Sequence, residues 1–455
     1  MIIVLFFDGL RPDFVRPDLT PKLCEFISRG VYFNNHHAVY PSETRVNASS
    51  VATGCYPGTH GVVGNQILIP GATGLRTINT GNHEDLQLVE RVQPLLSAPT
   101  LARVLKNHSK SYAIFSSGSP GSSWVQCGPG EGHMINVRGV VHPDGLQSEI
   151  LNRFGAFPPE AIPATARNDY VMKMMLSAIE QRSYDVIFGW LCDPDLTQHK
   201  VGLGAEEALG SIRENDERLG ALLSAARDSD VLVSSDHGFS TLSDPFDYEA
   251  VFTKGGFDLD QMVWTGSGIV LKERYKHKLG DLVGFLADQP WVGPLFTKGK
   301  SGEPRGHVPG TFSFDLAQVS HVRTPDVMFS RRWSDTQNGY GVPGFVYGAG
   351  GVASHGSCSP FDMHNVLAAG GPSFKKGLRS TLASGVVDIS PTLQYLVLGE
   401  AKMNMDGRIL VEGLAEGAEV PQSETKVYES ESPLPGRFMQ ITRVGETSYI
   451  DKGWV

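Results

Sequence analysis

The sequence predicts an α/β fold: a mainly parallel central sheet with helices on both faces, an inserted cap and a C-terminal hairpin. Three observations predict it. Short apolar runs recur along the chain (IIVLFF, SYAIFSS, YDVIFGWLC and DVLVSSD), the pattern of strands buried on both faces. Helical patterns at 170–181 and 206–226 separate them, and such alternation implies parallel strands joined by crossover helices. Between 244 and 344 the texture turns Gly- and Pro-rich before a strand pattern resumes at NVLAAGGP.

Residues 1–7 are β-branched and aromatic and stop at Asp8-Gly9, so a buried strand delivers a carboxylate at its C-terminal end. Thr20-Pro21 opens a helix with a cap and a first-turn proline, and Gly30 closes it. Segment 44–53 predicts a helix with Thr44 at its N-terminus. Within the insert an amphipathic helix is expected near 278–287; after it, VVDISPTLQYLVLGE reads as helical. ETKVYE with GRFMQITRVGETSYIDKGW reads as the terminal hairpin. The organisation expected is a core of 1–243 and 345–455 with 244–344 as the inserted cap region.

The chain has 455 residues, too many for one simple core. With 40% hydrophobic and 19% charged residues, it reads as an ordered globular protein and not as a disordered or fibrous one. A formal charge of −10 with no dense basic run argues against wrapping a long nucleic acid. A small anionic substrate stays open, because bound metal ions reverse the local sign. Cys24, Cys55, Cys127, Cys192 and Cys358 are odd in number and lack a CxxC pair, so they read as reduced packing residues. The first residues show neither a basic leader nor a membrane-length apolar run, which sets the expectation of a cytoplasmic protein without a membrane partner.

Asp8, Asp195 with His199, and Asp236-His237 each follow a predicted strand, where open α/β sheets place their ligands. Each alone reads as an ordinary loop or capping residue. Together with Thr44 and His355 they assemble Asp, His and hydroxyl donors of the kind zinc or manganese accepts. Asp195 and His199 share a face if that turn is helical, and Asp236 and His237 both reach a site if the strand ends in a bend, which Gly238 permits.

The set resembles the alkaline phosphatase superfamily and, within it, the type I phosphodiesterase/nucleotide pyrophosphatase branch. Matching pieces run in order: FFDG, PSETRVN, TGCYPGTHGVVGN, PDLTQH, SSDHG, SHGS and GPSFKKG. The resemblance implies an alkaline-phosphatase-like core that cleaves phosphodiester or pyrophosphate bonds of small, nucleotide-like substrates. It implies two divalent ions, zinc or manganese, one on Asp8, Thr44, Asp236 and His237, the other on Asp195, His199 and His355. Thr44 becomes the nucleophile of a phosphothreonine intermediate, and Asn47 a donor to a phosphoryl oxygen.

Arg45-Val46 departs from the aromatic and proline usual in this branch, and Arg45 is a candidate substrate-binding residue that suits monoesters or phosphonates. Phosphonoacetate hydrolase and phosphomonoesterase are therefore the alternatives, with a metal-stabilised binding pseudoenzyme as the non-enzymatic one. A sulfatase is disfavoured, since Cys55 is followed by Tyr56, Pro57 and Gly58 and lacks the Cys-x-Pro-Arg pattern. His36, His37, His60 and His364 read as structural, as do Phe33, Trp190, Trp264 and Trp333; the SSGSPGSS turn reads as a turn that could line the pocket.

Overall fold

A computed structural model describes residues 1–71, 74–245, 247–348, 350–400, 404–417, 419–430 and 436–455. The strands that carry the argument are β1 (Ile2–Phe7), β2 (Val31–His37), β3 (Tyr112–Ser116), β4 (His133–Asn136), β5 (Val186–Leu191), β6 (Asp230–Ser234) and β7 (Leu367–Gly370). They stand side by side in the order β2, β7, β6, β1, β5, β3, β4, with Leu378–Gly385 outside β2 and Val140–His142 outside β4.

In β1 every residue is buried, and alternate side chains serve opposite faces. Ile2, Val4 and Phe6 enter one hydrophobic core while Ile3, Leu5 and Phe7 enter the other. This is the two-sided burial that an uninterrupted apolar run encodes. The helices are α1 (Pro21–Arg29), α2 (Thr44–Thr53), α3 (Pro120–Gln126), α4 (Thr165–Glu180), α5 (Asp195–Val201), α6 (Glu206–Ala225) and α7 (Ile389–Leu398). α1, α4 and α6 cover one core through Leu23, Val171, Met175 and Leu219. α2, α3 and α7 cover the other through Val46, Val51, Val125 and Leu393.

The sheet is mixed. β1 pairs in parallel with β5 and β6, and β3 with β4 and β5, but β7 runs antiparallel to both β6 and β2. Val140–His142 returns antiparallel along β4, because the three residues between them allow only a hairpin. The start of α1 also differs from expectation. Thr20 caps nothing with its side chain; the amides of Lys22 and Leu23 donate instead to Asp216 on α6, at 2.9 and 2.8 Å.

The helices Tyr248–Lys254 and Leu279–Ala287 pack with a five-stranded sheet, formed between Met262 and Arg331, around a separate core that includes Phe252, Leu286, Trp291 and Phe329. A four-stranded sheet links the segments 240–243, 333–337, 343–347 and 353–354. The terminal hairpin Phe438–Val444 with Thr447–Trp454 gains a third strand, Ser423–Glu429. Among the described residues no helix is long and apolar enough to cross a membrane, and all five cysteines are free thiols.

Candidate active site

The parallel strands β1, β3, β4, β5 and β6 end at one edge of the sheet, and the predicted donors collect there. Asp8 leaves β1 into a turn at Gly9, whose φ of +71° suits a residue without a side chain. A Cβ on Gly9 would lie 3.1 Å from both the Asp195 Cβ and the Phe239 ring. The turn lets the Gly9 amide donate to Asp236 Oδ1 at 3.1 Å. Trp190 on β5 stacks on Phe6, with centroids 4.5 Å apart, and its indole donates to Asp8 Oδ2 at 2.8 Å. One oxygen of each carboxylate is thereby tied to the protein. The other, Asp8 Oδ1 or Asp236 Oδ2, is buried with no hydrogen-bond partner among the described residues.

Those two free oxygens face His237 Nε2, at 3.6 and 3.1 Å, and Thr44 Oγ1 lies 3.1 Å from the same nitrogen. Thr44 is the first residue of α2, directly after its N-cap Glu43. Gly238 matters for contact and not for a left-handed turn, since a Cβ there would fall 2.0 Å from the Phe361 carbonyl oxygen. The second donor group forms beside the first. α5 starts at Asp195 and carries His199 one turn on; Asp195 Oδ2 lies 3.4 Å from His199 Nε2 and 3.3 Å from His355 Nε2. The His237 and His355 rings stack at 3.6 Å and join the two groups.

The three histidines share one orientation. Nδ1 of His199, His237 and His355 meets a backbone carbonyl, of Ala353, Gly238 and Ser42, at 3.0, 2.9 and 2.8 Å. A carbonyl only accepts, so each Nδ1 carries a proton and each Nε2 is turned toward the carboxylates, the arrangement that metal-ligating histidines adopt. Burial opposes the charge on His199, yet Asp195 raises its pKa to about 9, so without a cation its Nε2 is protonated toward that carboxylate. The electrostatics agree. Burial, reinforced by Asp236 and Asp195, raises Asp8 well above the carboxylate range, and burial with the charge of Asp195 pushes Asp236 up to about 8. Burial also opposes the charge on Asp195, yet His199 and His355 hold its pKa well below the usual value. Burial and His237 drive His355 down to about 4. Three buried carboxylates this close ionise together only with a cation between them. The residues present fit divalent metal ions by donor type, by tautomer and by their unpartnered oxygens.

The cavity over this cluster is about 510 Å³ and is lined by Asp8, Thr44, Asp195, His199 and His355 together with Glu43, Arg45, Asn65, Gly118, Ser119, Arg138, Ser267 and Phe329, among others. Asn47 is not part of the lining. It is fully buried, its Oδ1 accepts from the Val39 amide at 2.8 Å, and its Nδ2 donates to the Glu43 carbonyl at 3.0 Å. The expectation that Asn47 donates to substrate therefore fails, because the protein backbone takes both ends of the amide. Asn65 stands in the cavity instead. The Arg45 amide donates to its Oδ1 at 3.3 Å, which leaves Nδ2 without a partner among the described residues. The signal for Asn65 in the sequence is the GVVGN end of the matching segment TGCYPGTHGVVGN.

Arg45 lines the cavity, and burial lowers its pKa. Glu43 bridges two loops: its carboxylate accepts from the Asn65 amide and, at 2.6 Å, from the Ser267 hydroxyl. Trp190 supports Asp8 and is otherwise packed in the core with Phe33. Trp264 packs against Phe252, and Trp333 donates to the Gly453 carbonyl. His36, His60 and His37 are buried with side-chain partners, and His37 also meets Asp451, beside His364. Of the Ser116–Ser123 stretch, Gly118 and Ser119 line the cavity.

An α/β sheet with a carboxylate–histidine cluster and a hydroxyl at a helix N-terminus on its carboxyl edge is equipped for metal-assisted hydrolysis. The chain belongs to the type I phosphodiesterase/nucleotide pyrophosphatase family, whose model matches residues 2–289, and with it to the alkaline phosphatase superfamily. That match spans six of the seven expected ligands and stops short of His355.

A bis(5'-adenosyl)-triphosphatase of Mus musculus is 22% identical over 411 residues, covering 87% of this chain and 77% of that protein. Venom phosphodiesterase 2 of Crotalus adamanteus is 24% identical over 260 residues, 55% of this chain; the chain spans 28% of that relative's length. Murine ectonucleotide pyrophosphatase/phosphodiesterase 5 superposes with a TM-score of 0.64 at 16% identity, covering 91% of this chain and 100% of its own. That likeness concerns the fold.

Proposed function

We propose that the protein cleaves phosphodiester or pyrophosphate bonds of small, nucleotide-like substrates at a two-metal site, through a phosphothreonine intermediate on Thr44. The common orientation of His199, His237 and His355 carries this reading, since each Nδ1 is spent on a backbone carbonyl and each Nε2 is left facing a buried carboxylate oxygen, the donor set of a divalent ion. Asp8, Thr44, Asp236 and His237 would hold one divalent ion and Asp195, His199 and His355 the other, zinc or manganese by donor type. When bound, such ions supply Lewis acidity that lowers the pKa of a hydroxyl and offsets charge on phosphoryl oxygens.

Thr44 Oγ1 attacks phosphorus; the Oγ1–P bond forms as the P–O bond to the leaving group breaks. Thr44 gives its proton to solvent and the leaving oxygen takes one from solvent. Water then adds its oxygen to phosphorus, the Oγ1–P bond breaks, and Thr44 recovers a proton, so one water is consumed per turnover. The amides opening α2 and the free Nδ2 of Asn65 favour the added negative charge. A solved relative gives further support, a threonine-to-alanine variant of murine ectonucleotide pyrophosphatase/phosphodiesterase 5 described as inactive and in complex with AMP.

The test is release of nitrophenol from bis-p-nitrophenyl phosphate before and after chelation. Loss of turnover with chelator and recovery with zinc or manganese is expected. No turnover in either state would leave a metal-stabilised binding protein.

A further inference from the structure

Along the carboxyl edge the chemistry changes sign. Asp236 and His237 follow β6, Asp8 follows β1 and Asp195 follows β5; beyond them lie the Gly118–Ser119 turn after β3 and Arg138 after β4. Arg45 belongs to the second end. It packs beside Gly81, where a Cβ would lie 3.6 Å from its Nε, and the Gly81 carbonyl accepts from the Gly121 amide at 2.9 Å, two residues past Ser119. Nε of Arg45 and Nε of Arg138 are both buried without a hydrogen-bond partner. Among the described residues the Arg45 guanidinium has no partner at all, and Arg138 has only a long contact to Glu160, at 3.8 Å. Arg331, a third arginine on the wall, is engaged by Tyr248.

The acids whose field reaches Arg45 are Glu43 and the three metal-end carboxylates Asp195, Asp8 and Asp236. Glu43 is taken by Asn65 and Ser267. Those neutral donors leave the charge of Glu43 in place, so two divalent ions would balance the four acids and leave the charge of the arginines to be met by the substrate. Recognition of a flat base is poorly served, because Phe329 is the one Phe, Tyr or Trp among the described lining residues and a second such ring to sandwich a base is missing there.

We propose that Arg45 and Arg138 form a second anion subsite, which selects substrates carrying a further phosphate or carboxylate next to the scissile phosphoryl group. The inference rests on the hydrolase reading above and narrows it from nucleotide-like esters to pyrophosphates and phosphonocarboxylates. Arginine suits both anions through its planar fork of donors.

Calorimetry on metal-loaded protein tests it with three non-nucleotide probes: methylenediphosphonate, phosphonoacetate and methyl methylphosphonate, which lacks the second anion. At least one of the first two binds about tenfold to a hundredfold more tightly than the third, the scale of a charge-assisted hydrogen bond. Preference for methylenediphosphonate assigns the second anion to phosphate, and preference for phosphonoacetate assigns it to carboxylate. In Arg45→Met the advantage collapses while the melting temperature holds or rises, because no protein partner is lost; Arg45→Lys keeps part of it, and Arg138→Met loses part. Equal binding of all three probes, or an advantage retained in Arg45→Met, overturns the subsite. Turnover of bis-p-nitrophenyl phosphate on the same preparation separates the readings. Lost discrimination with intact turnover removes the subsite alone, and discrimination without metal-dependent turnover removes the hydrolase reading alone.

Discussion

Glu43 and Ser267 join the N-terminus of α2 to the five-stranded sheet: the serine hydroxyl, in the turn between the strands Met262–Trp264 and Gly268–Leu271, donates to Glu43 Oε1 at 2.6 Å, while Glu43 Oε2 accepts from the Asn65 amide. Glu43 also places a negative charge at the N-terminus of α2, where the helix dipole favours it. Glu43→Gln removes that charge and turns one acceptor into a donor facing a donor. Its expected cost is about 1–3 kcal/mol in denaturant unfolding, with Ser267→Ala costing less. An unchanged midpoint for Glu43→Gln would count against the bridge.

Thr44→Ala removes the proposed attacking oxygen and one donor of the proposed first metal group. Turnover should fall by about 10³-fold or more while both ions still bind, because three donors remain in each group. Metal content and single-turnover kinetics check this together. Residual hydrolysis near the native rate in the metal-loaded variant would exclude Thr44 as nucleophile.

Trp190→Phe keeps the ring against Phe6 and deletes the N–H that holds Asp8 Oδ2. Removing such a support to a ligating carboxylate weakens metal affinity by about 10- to 100-fold. Competition with a chromophoric chelator measures it, and native affinity would show that Asp8 is held well enough without the indole.

Asn65 and Asn47 separate cleanly. Asn65→Ala should lower kcat by about 10²-fold with little loss of stability, as expected for a donor to transition-state charge. Asn47→Ala should chiefly destabilise, since the Val39 amide and Glu43 carbonyl lose their partner. Kinetics and thermal melting of the pair decide it; the opposite pattern would restore Asn47 as the substrate ligand.

His60 supplies a pH dependence away from the metals. Its Nδ1 accepts from the Val62 amide at 3.1 Å and its Nε2 meets Ser50 Oγ on α2 at 3.0 Å, and burial, then His321, lowers its pKa from 6.5 to about 3. The folded state therefore holds fewer protons than the unfolded one below 6.5. Its contribution is whole above that pH and drains as pH falls toward 3, at about 1.4 kcal/mol per unit. Unfolding midpoints for His60→Gln between pH 7 and 4 should fall less steeply than for the native protein; parallel curves would remove His60 as a cause.

What was legible in the sequence is what is local or periodic. The run IIVLFF could only be a two-sided strand, the spacing of Asp195 and His199 needed only one helical turn, and α2 begins at the predicted Thr44. What escaped depends on contacts across long sequence separations. The Trp190 indole reaches Asp8 from 182 residues away, and Asp216 replaces Thr20 as the cap of α1 from across the fold. Asn47 had the helical spacing of a substrate ligand, but its Nδ2 donates to the Glu43 carbonyl while its Oδ1 accepts from the Val39 amide, eight residues earlier. Strand direction was hidden too, because the sequence pattern of β7 does not tell which way it runs.

The strict alternation of β1 has a wider consequence. Both flanking strands pair with it in unbroken register from Ile2, so a slip of one residue would exchange the two cores and carry Asp8 off by one strand step of about 3.3 Å. The central strand thus works as a ruler, and its zero mark is the metal end of the cavity. Arg45 and residues 118–119, 138 and 265–267 hang on loops and helix ends beyond the ruled part. New substrate preferences can arise there by small substitutions, while the scale against which phosphorus is positioned stays fixed.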